Sequence, residues 1–216
     1  MDWTSHDVPF PRNRPLHLMI AVFAVLFALS AVSPTSRTQW YANGAPLAAF
    51  VLLLAFTYRR YRFSNRSYLL MLVFCCLHLY AVHYTYEHTP FDHWLKSAFH
   101  TKRSYYDRVV HFGFGSTFAY PIREYLSSKM KFHPFWAYTL PVIVILGFGG
   151  LFEIAEWLAA AMAGSGGEAE FVGLQGDIFD TQKDMLLGLI GGIAGVGILM
   201  LEDWLKRRSR RRSIVA

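Results

Sequence analysis

Apolar residues along this chain come in long blocks, broken by short stretches where charge, glycine and proline collect. A transmembrane helix needs about 20 mostly apolar residues, with about 17 as the lower limit. By that rule the pattern predicts six spans, at 16–33, 43–58, 67–85, 108–126, 135–160 and 184–203. The second block is the shortest and is bounded by Gly44 and Pro46. A soluble helical domain would alternate apolar and polar faces at helical spacing, and most of these blocks have no polar face. The expected fold is therefore all-α, a polytopic transmembrane helical bundle of about six spans. It forms a single integral membrane domain over residues 1–216, with an N-terminal segment at 1–15 and a basic tail at 204–216.

Charge orients this bundle. Arg12 and Arg14 precede the first span, and Arg59, Arg60, Arg62 and Arg66 lie between the second and third. Arg123, Lys129 and Lys131 lie between the fourth and fifth, and Lys206, Arg207, Arg208, Arg210, Arg211 and Arg212 follow the sixth. In a six-span chain all of these fall on one side. The opposite side holds Arg37, Lys96, Lys102, Arg103, Arg108 and Lys183. The positive-inside rule then places both termini in the cytoplasm. The basic tail reads as an anchor beside anionic headgroups, so the net charge of +6 does not imply nucleic acid. No aromatic-interleaved basic surface accompanies it. The first block also has some features of a secretory signal, including Ala28-Leu-Ser-Ala31, but its apolar core is long for one, which favours a retained anchor. Adjacent Cys75 and Cys76 point about 100° apart on a helix and read as packing residues.

Against this background a run of acids stands out. Glu153 and Glu156 lie inside the apolar stretch Leu151-Phe-Glu-Ile-Ala-Glu-Trp157. Asp177, Asp180 and Asp184 lead into the last span. A carboxylate in hydrocarbon costs several kcal/mol unless it is paired, solvated or put to use. With alternating span directions, these acids come to the outer side together with His83 and Glu87 at the end of span three and Asp107, Arg108 and His111 at the start of span four. His83 and Glu87 are four apart, as are Asp107 and His111, so each pair is expected to share a helix face. The expected site is therefore a four-helix cluster. Glu153, Glu156, Asp184, Asp107 and Arg108 are its candidate catalytic groups, and His83, His111, Asp177 and Asp180 its candidate metal donors. Imidazoles and carboxylates so gathered suit a divalent metal, a proton relay or general acid–base chemistry. Arg108 suits a carboxylate or a phosphate.

Span six carries Gly188, Gly191, Gly192 and Gly195, and span five carries Gly147, Gly149 and Gly150. Small residues let helices approach closely in lipid, which predicts a seam between spans five and six. Gly164-Ser-Gly-Gly167 reads as a flexible connection. The chain has no His-Glu-x-x-His, no Gly-x-Ser-x-Gly, no phosphate-binding loop and no dinucleotide fingerprint.

Several segments carry a family resemblance. His83-Tyr-Thr-Tyr-Glu87, Tyr106-Asp-Arg-Val-Val-His-Phe112, Tyr120-Pro-Ile-Arg-Glu124, Glu153-Ile-Ala-Glu-Trp157 and Gly176-Asp-Ile-Phe-Asp-Thr-Gln-Lys-Asp-Met185 resemble the YjdF family of bacterial inner-membrane proteins, in order, from about Pro34 to Gly195. The resemblance implies a multi-span inner-membrane protein and carries no established activity. Glu153 and Glu156 followed by Asp177, Asp184 and Gly188 are more weakly similar in layout to VanZ-like membrane proteins, with different spacing, and transfer no residue role. Three functions stay open at this point. The first is a membrane-embedded, metal-assisted hydrolase or transferase on a lipid or envelope precursor. The others are a proton-coupled transporter and a structural or assembly protein. The lipid bilayer is the expected partner, and a homo-oligomer is compatible with each of the three.

Overall fold

The computed structural model describes residues 3–6, 8–101, 103–163 and 177–215. Among them the chain is helical throughout, with no strand. A 3-10 turn at Phe10–Arg12 precedes seven α-helices: α1 (Arg14–Ser30), α2 (Arg37–Thr57), α3 (Asn65–Tyr84), α4 (Pro90–Phe99), α5 (Tyr106–Ser128), α6 (Pro134–Ala163) and α7 (Asp180–Val215). Four of these, α2, α3, α6 and α7, are long and apolar enough to cross a membrane. Helix α1 is apolar but has only 17 residues. Helix α5 has 23 residues and carries Asp107, Arg108, His111, Arg123 and Glu124 near its ends.

Local chemistry sets where these helices begin. Ser36 caps α2 by accepting from the Gln39 N–H, so the helix starts six residues before the expected Asn43. Pro46 then lies inside the helix without ending it, as neighbouring helices in a bundle allow. Asn13 and Ser64 cap α1 and α3 in the same way. The sequence pattern did not predict α4. Thr89 starts it, accepting from the Asp92 N–H at 3.1 Å while donating to Asp92 Oδ2 at 2.7 Å. The basic tail, expected as an extension beyond residue 203, continues α7 as helix.

Helix α5 is the centre of the bundle. It packs most extensively on α7, and also on α3 and α6. The glycines explain the first of these pairings and correct the expected seam. A Cβ on Gly115 would lie 2.1 Å from the Gly188 carbonyl oxygen, and one on Gly191 would lie 2.3 Å from that of Phe112. One on Gly195 would meet Ala119 Cβ at 2.7 Å. The seam therefore joins α5 to α7, with backbones too close for any side chain between them. Gly147 and Gly149 of α6 face open space, while Gly150 and Gly192 make the lesser α6–α7 contact through Met185 and Ile145. Ala119, Ile145 and Val196 form the apolar core where α5, α6 and α7 meet. Leu18, Val25, Leu52, Phe56, Ile143, Phe148, Ile193 and Ile198 are exposed on the outer surfaces of α1, α2, α6 and α7, the arrangement a lipid-facing bundle needs.

The bundle has two polar ends. At one, the starts of α3 and α6 meet the ends of α2, α5 and α7, with most of the arginines. At the other, the starts of α5 and α7 meet the end of α6, with most of the carboxylates.

Candidate functional site

The first turns of α5 and α7 and the last turns of α6 build the acidic end. Asp107 and His111, one helical turn apart on α5, face each other with Oδ1 3.6 Å from Nε2. His111 Nε2 also lies 3.2 Å from Glu153 Oε1 of α6, and both side chains are buried. The Phe152 ring meets the His111 ring edge-on. Glu156, one turn beyond Glu153, lies close enough to feel the charges of Asp107, Glu153, Asp184 and Asp180.

Two arginines hold the other half. Arg108 reaches Asp177 Oδ2 at 3.1 Å, Asp180 Oδ1 at 3.0 Å and, through Nε, Asp184 Oδ1 at 3.7 Å. Arg103 contacts Asp177 Oδ2 at 2.7 Å and also pairs with Asp180. Both guanidinium groups lie over the Tyr105 ring, which fixes their orientation. Lys183 adds a third cation to Asp177 at 2.6 Å. That hydrogen bond, with those from the Phe179 N–H and Arg108, holds the Asp177 carboxyl at about 2, well below the ordinary carboxylate range. Asp180 and Asp184 also gain from the positive N-terminal end of α7.

The two halves differ in how well they are satisfied. Asp107 Oδ1, Glu153 Oε1 and Asp184 Oδ1 are buried without a hydrogen bond of good geometry, although each faces His111 or Arg108 at 3.2–3.7 Å. A buried polar atom left in that state costs about 1–3 kcal/mol.

The expected four-helix cluster is thus a three-helix cluster joined by Arg103. Asp107, Arg108, His111, Glu153, Glu156, Asp177, Asp180 and Asp184 come together as expected. His83 does not join them. Helix α3 ends at Tyr84, and Thr85 takes a positive φ of 64°, so His83 and Glu87 share no helix face. His83 Nδ1 turns to the Ser30 carbonyl of α1 at 3.0 Å. The expected metal set is dispersed accordingly. Asp177 and Asp180 are taken up by arginines, and among the described residues no three His, Cys, Asp or Glu side chains group as metal ligands would. Helix α3 contributes instead through His78, whose Nδ1 meets the Tyr86 hydroxyl at 2.6 Å and whose Nε2 meets the Asn43 carbonyl at 3.1 Å. Tyr86 in turn feels the charges of Asp107, Glu153 and Glu156. The Gly164–Gly167 connection and Lys102 lie outside the described residues.

The basic end holds a second buried acid that sequence reasoning missed. Glu124 of α5 accepts from the Ser64 N–H at 2.8 Å, the Ser64 hydroxyl, the Ser67 hydroxyl at 2.7 Å and the Tyr61 hydroxyl at 3.5 Å, with His6 Nδ1 at 3.2 Å. Around it Arg66 grips Glu202 through two bonds of 2.7 Å, and Arg123 pairs with Asp203 at 2.6 Å. The signal was an Arg-Glu pair inside an otherwise apolar block, opposite a Ser-Asn-Arg-Ser run. Glu124 has donors on every side and reads as a lock between α3 and α5.

Comparison with known proteins points to a membrane-protein family. The model of a family described as "Predicted membrane protein (DUF2238)" matches residues 15–204. The chain is 29% identical over 206 residues to "Inner membrane protein YjdF" of Escherichia coli (strain K12), covering 94% of this chain and 97% of the relative. No solved structure matches.

Proposed function

The chain belongs to this DUF2238 family of predicted membrane proteins, and we propose that in this multi-pass inner-membrane protein the acidic end is a proton-binding acid–base centre. The proposed topology is six spans, α1, α2, α3, α5, α6 and α7, in a single integral membrane domain. The bias of arginine toward the basic end supports cytoplasmic termini and, with them, an acidic end at the outer face. With 10 residues, α4 is too short to cross and would lie along that face.

The observation that carries this reading is the contrast between two buried acids. Glu124 is fully donated to, whereas Glu153 faces His111 with an unsatisfied oxygen beside Asp107 and Asp184. Of six carboxyls, Asp177, Asp180 and Asp184 contact Arg103, Arg108 or Lys183, while Asp107 and Glu153 face His111 and Glu156 lies beside them. So much unbalanced negative charge cannot persist in a medium of low dielectric, and the simplest remedy is protons held between His111 and its carboxylate neighbours. In this reading His111 and Glu153 exchange the proton, with Asp107 and Asp184 tuning it. Glu156 is a further proton acceptor. Arg103 and Arg108 neutralise Asp177 and Asp180 and fix the start of α7.

Such a centre serves a hydrolase or transferase acting by general acid–base catalysis on a lipid or envelope precursor. No metal is needed for these roles. A proton-coupled carrier is the second reading, favoured by the buried His78, whose Nδ1 meets the Tyr86 hydroxyl and whose Nε2 meets the Asn43 carbonyl.

Proton uptake after a pH jump, followed with an indicator dye on purified protein, tests the proposal. Wild-type protein is expected to take up more protons than the His111→Gln variant, and equal uptake would contradict it. Reconstituted vesicles then separate the two readings, since only a carrier gives flux driven by a pH gradient.

A further inference from the structure

We propose that the groove between α1 and α2 at the basic end binds an anionic membrane phospholipid, an acyl chain inside it and the phosphate at Arg59 and Arg62. The site is independent of the acid–base centre, which lies at the opposite end.

Its origin is in how the first three helices pack. Helices α1 and α2 both rest on α3 and have little contact with each other. They touch at the acidic end, where the Trp40 indole donates to the Ser30 hydroxyl at 3.2 Å and its ring lies tilted against Phe27. Toward the basic end they part. A cavity of about 650 Å³ opens between them, floored by Tyr68, Met71 and Cys75 of α3 and walled by Met19, Phe23 and Leu54. That volume falls within the about 300–1,000 Å³ of small-molecule sites. Pro9, Phe10 and Pro11 close its end, and Phe10 is held there edge-on against His17 and Tyr58.

Charge complementarity chooses the occupant. The lining is apolar except at the mouth, where Arg59 and Arg62 stand beside Tyr58. The Arg62 guanidinium lies 5.7 Å from the Tyr58 ring centre, and the Tyr58 hydroxyl is tied to the Val8 carbonyl at 2.9 Å. An apolar tube ending in two arginines matches a hydrocarbon chain ending in a negatively charged headgroup. Basic pockets between membrane helices bind such lipids. A free phosphate gains nothing from the tube, and a zwitterionic lipid brings no net charge to the arginines.

The test titrates purified full-length protein in detergent with phosphatidylglycerol, with phosphatidylcholine of the same chains, and with inorganic phosphate, reading thermal unfolding. Phosphatidylglycerol is expected to raise the midpoint saturably and the other two are not. Arg59→Ala with Arg62→Ala is expected to weaken phosphatidylglycerol by about tenfold to thirtyfold. Ala55→Trp, which fills the groove, should abolish its effect. Native mass spectrometry of wild-type protein gives a reading that needs no variant, with phosphatidylglycerol retained over phosphatidylcholine. Equal stabilisation or retention of the two lipids, or undiminished binding by the double arginine variant, overturns the proposal. So does stabilisation by phosphate alone, or a cross-link from Ala55→Cys to a second copy of the chain seated in the groove.

Discussion

His111 Nε2 lies 3.2 Å from Glu153 Oε1, two buried side chains brought together from different helices inside a membrane protein. Neither helix could hold its own ionisable group alone at acceptable cost. Helix α5 brings His111 and Asp107 on one face, α6 brings Glu153, and the glycine seam holds α7 and Asp184 against them. The pair is therefore a product of the α5–α6–α7 packing, and variants that alter the packing and variants that alter the charge should behave differently.

Gly115→Ala is expected to destabilise the bundle. Its Cβ would lie 2.1 Å from the Gly188 carbonyl oxygen and 2.6 Å from the Gly192 nitrogen, both backbone atoms that cannot move aside. Overpacking of this kind costs about 1–3 kcal/mol or more. Gly147→Ala on α6, where a Cβ meets nothing, should be neutral or stabilising by about 0.5–1 kcal/mol. Thermal unfolding in detergent compares the two, and equal effects would count against the α5–α7 seam.

Glu124→Ala is expected to be among the most damaging single changes at the basic end. It strands the Ser64 N–H and hydroxyl and the Ser67 hydroxyl in a buried position. Each buried donor left without an acceptor costs about 1–3 kcal/mol. Glu153→Gln, by contrast, keeps an oxygen facing His111 and is expected to shift stability by about 1 kcal/mol or less. Chemical unfolding of the two variants checks the order.

The start of α7 should loosen only in strong acid. Asp177 is held at about 2 by Lys183, the Phe179 N–H and Arg108, below its value of about 4 in an unfolded chain. A depressed carboxyl contributes stability above the unfolded value and loses it as pH falls through the folded one. The protection of amides 177–184, that is, exchange corrected for its intrinsic pH dependence, is therefore expected to stay constant from neutral pH to about 4 and to fall between about 4 and 2. Asp177→Asn should remove that pH dependence; a variant that keeps it would show that another group is responsible.

Helical periodicity made much of this legible in advance. Each expected apolar block lies in a helix, and Asp107 with His111 could be put on one face from spacing alone. Spacing does not reveal which helix a face will meet. Gly188, Gly191 and Gly195 were visible as a small-residue stripe, but their partner is α5 and not α6. His83 was lost to the site because Thr85 ends α3 two residues later and the ring turns toward α1. Arg103 read as an ordinary loop charge, since nothing local shows that it reaches Asp177 and Asp180 across more than seventy positions of sequence. Glu124 was hidden for a similar reason, its donors lying on another helix.

In the proposed centre the acidic end holds exchangeable protons and the basic end does not. Infrared difference spectra between acid and alkaline buffer, recorded on wild-type protein, Glu153→Gln and Glu124→Gln, test it most directly. A pH-dependent protonated-carboxyl band is expected in wild-type protein, retained in Glu124→Gln and diminished in Glu153→Gln. A band unchanged by Glu153→Gln, or one removed by Glu124→Gln instead, would contradict the account.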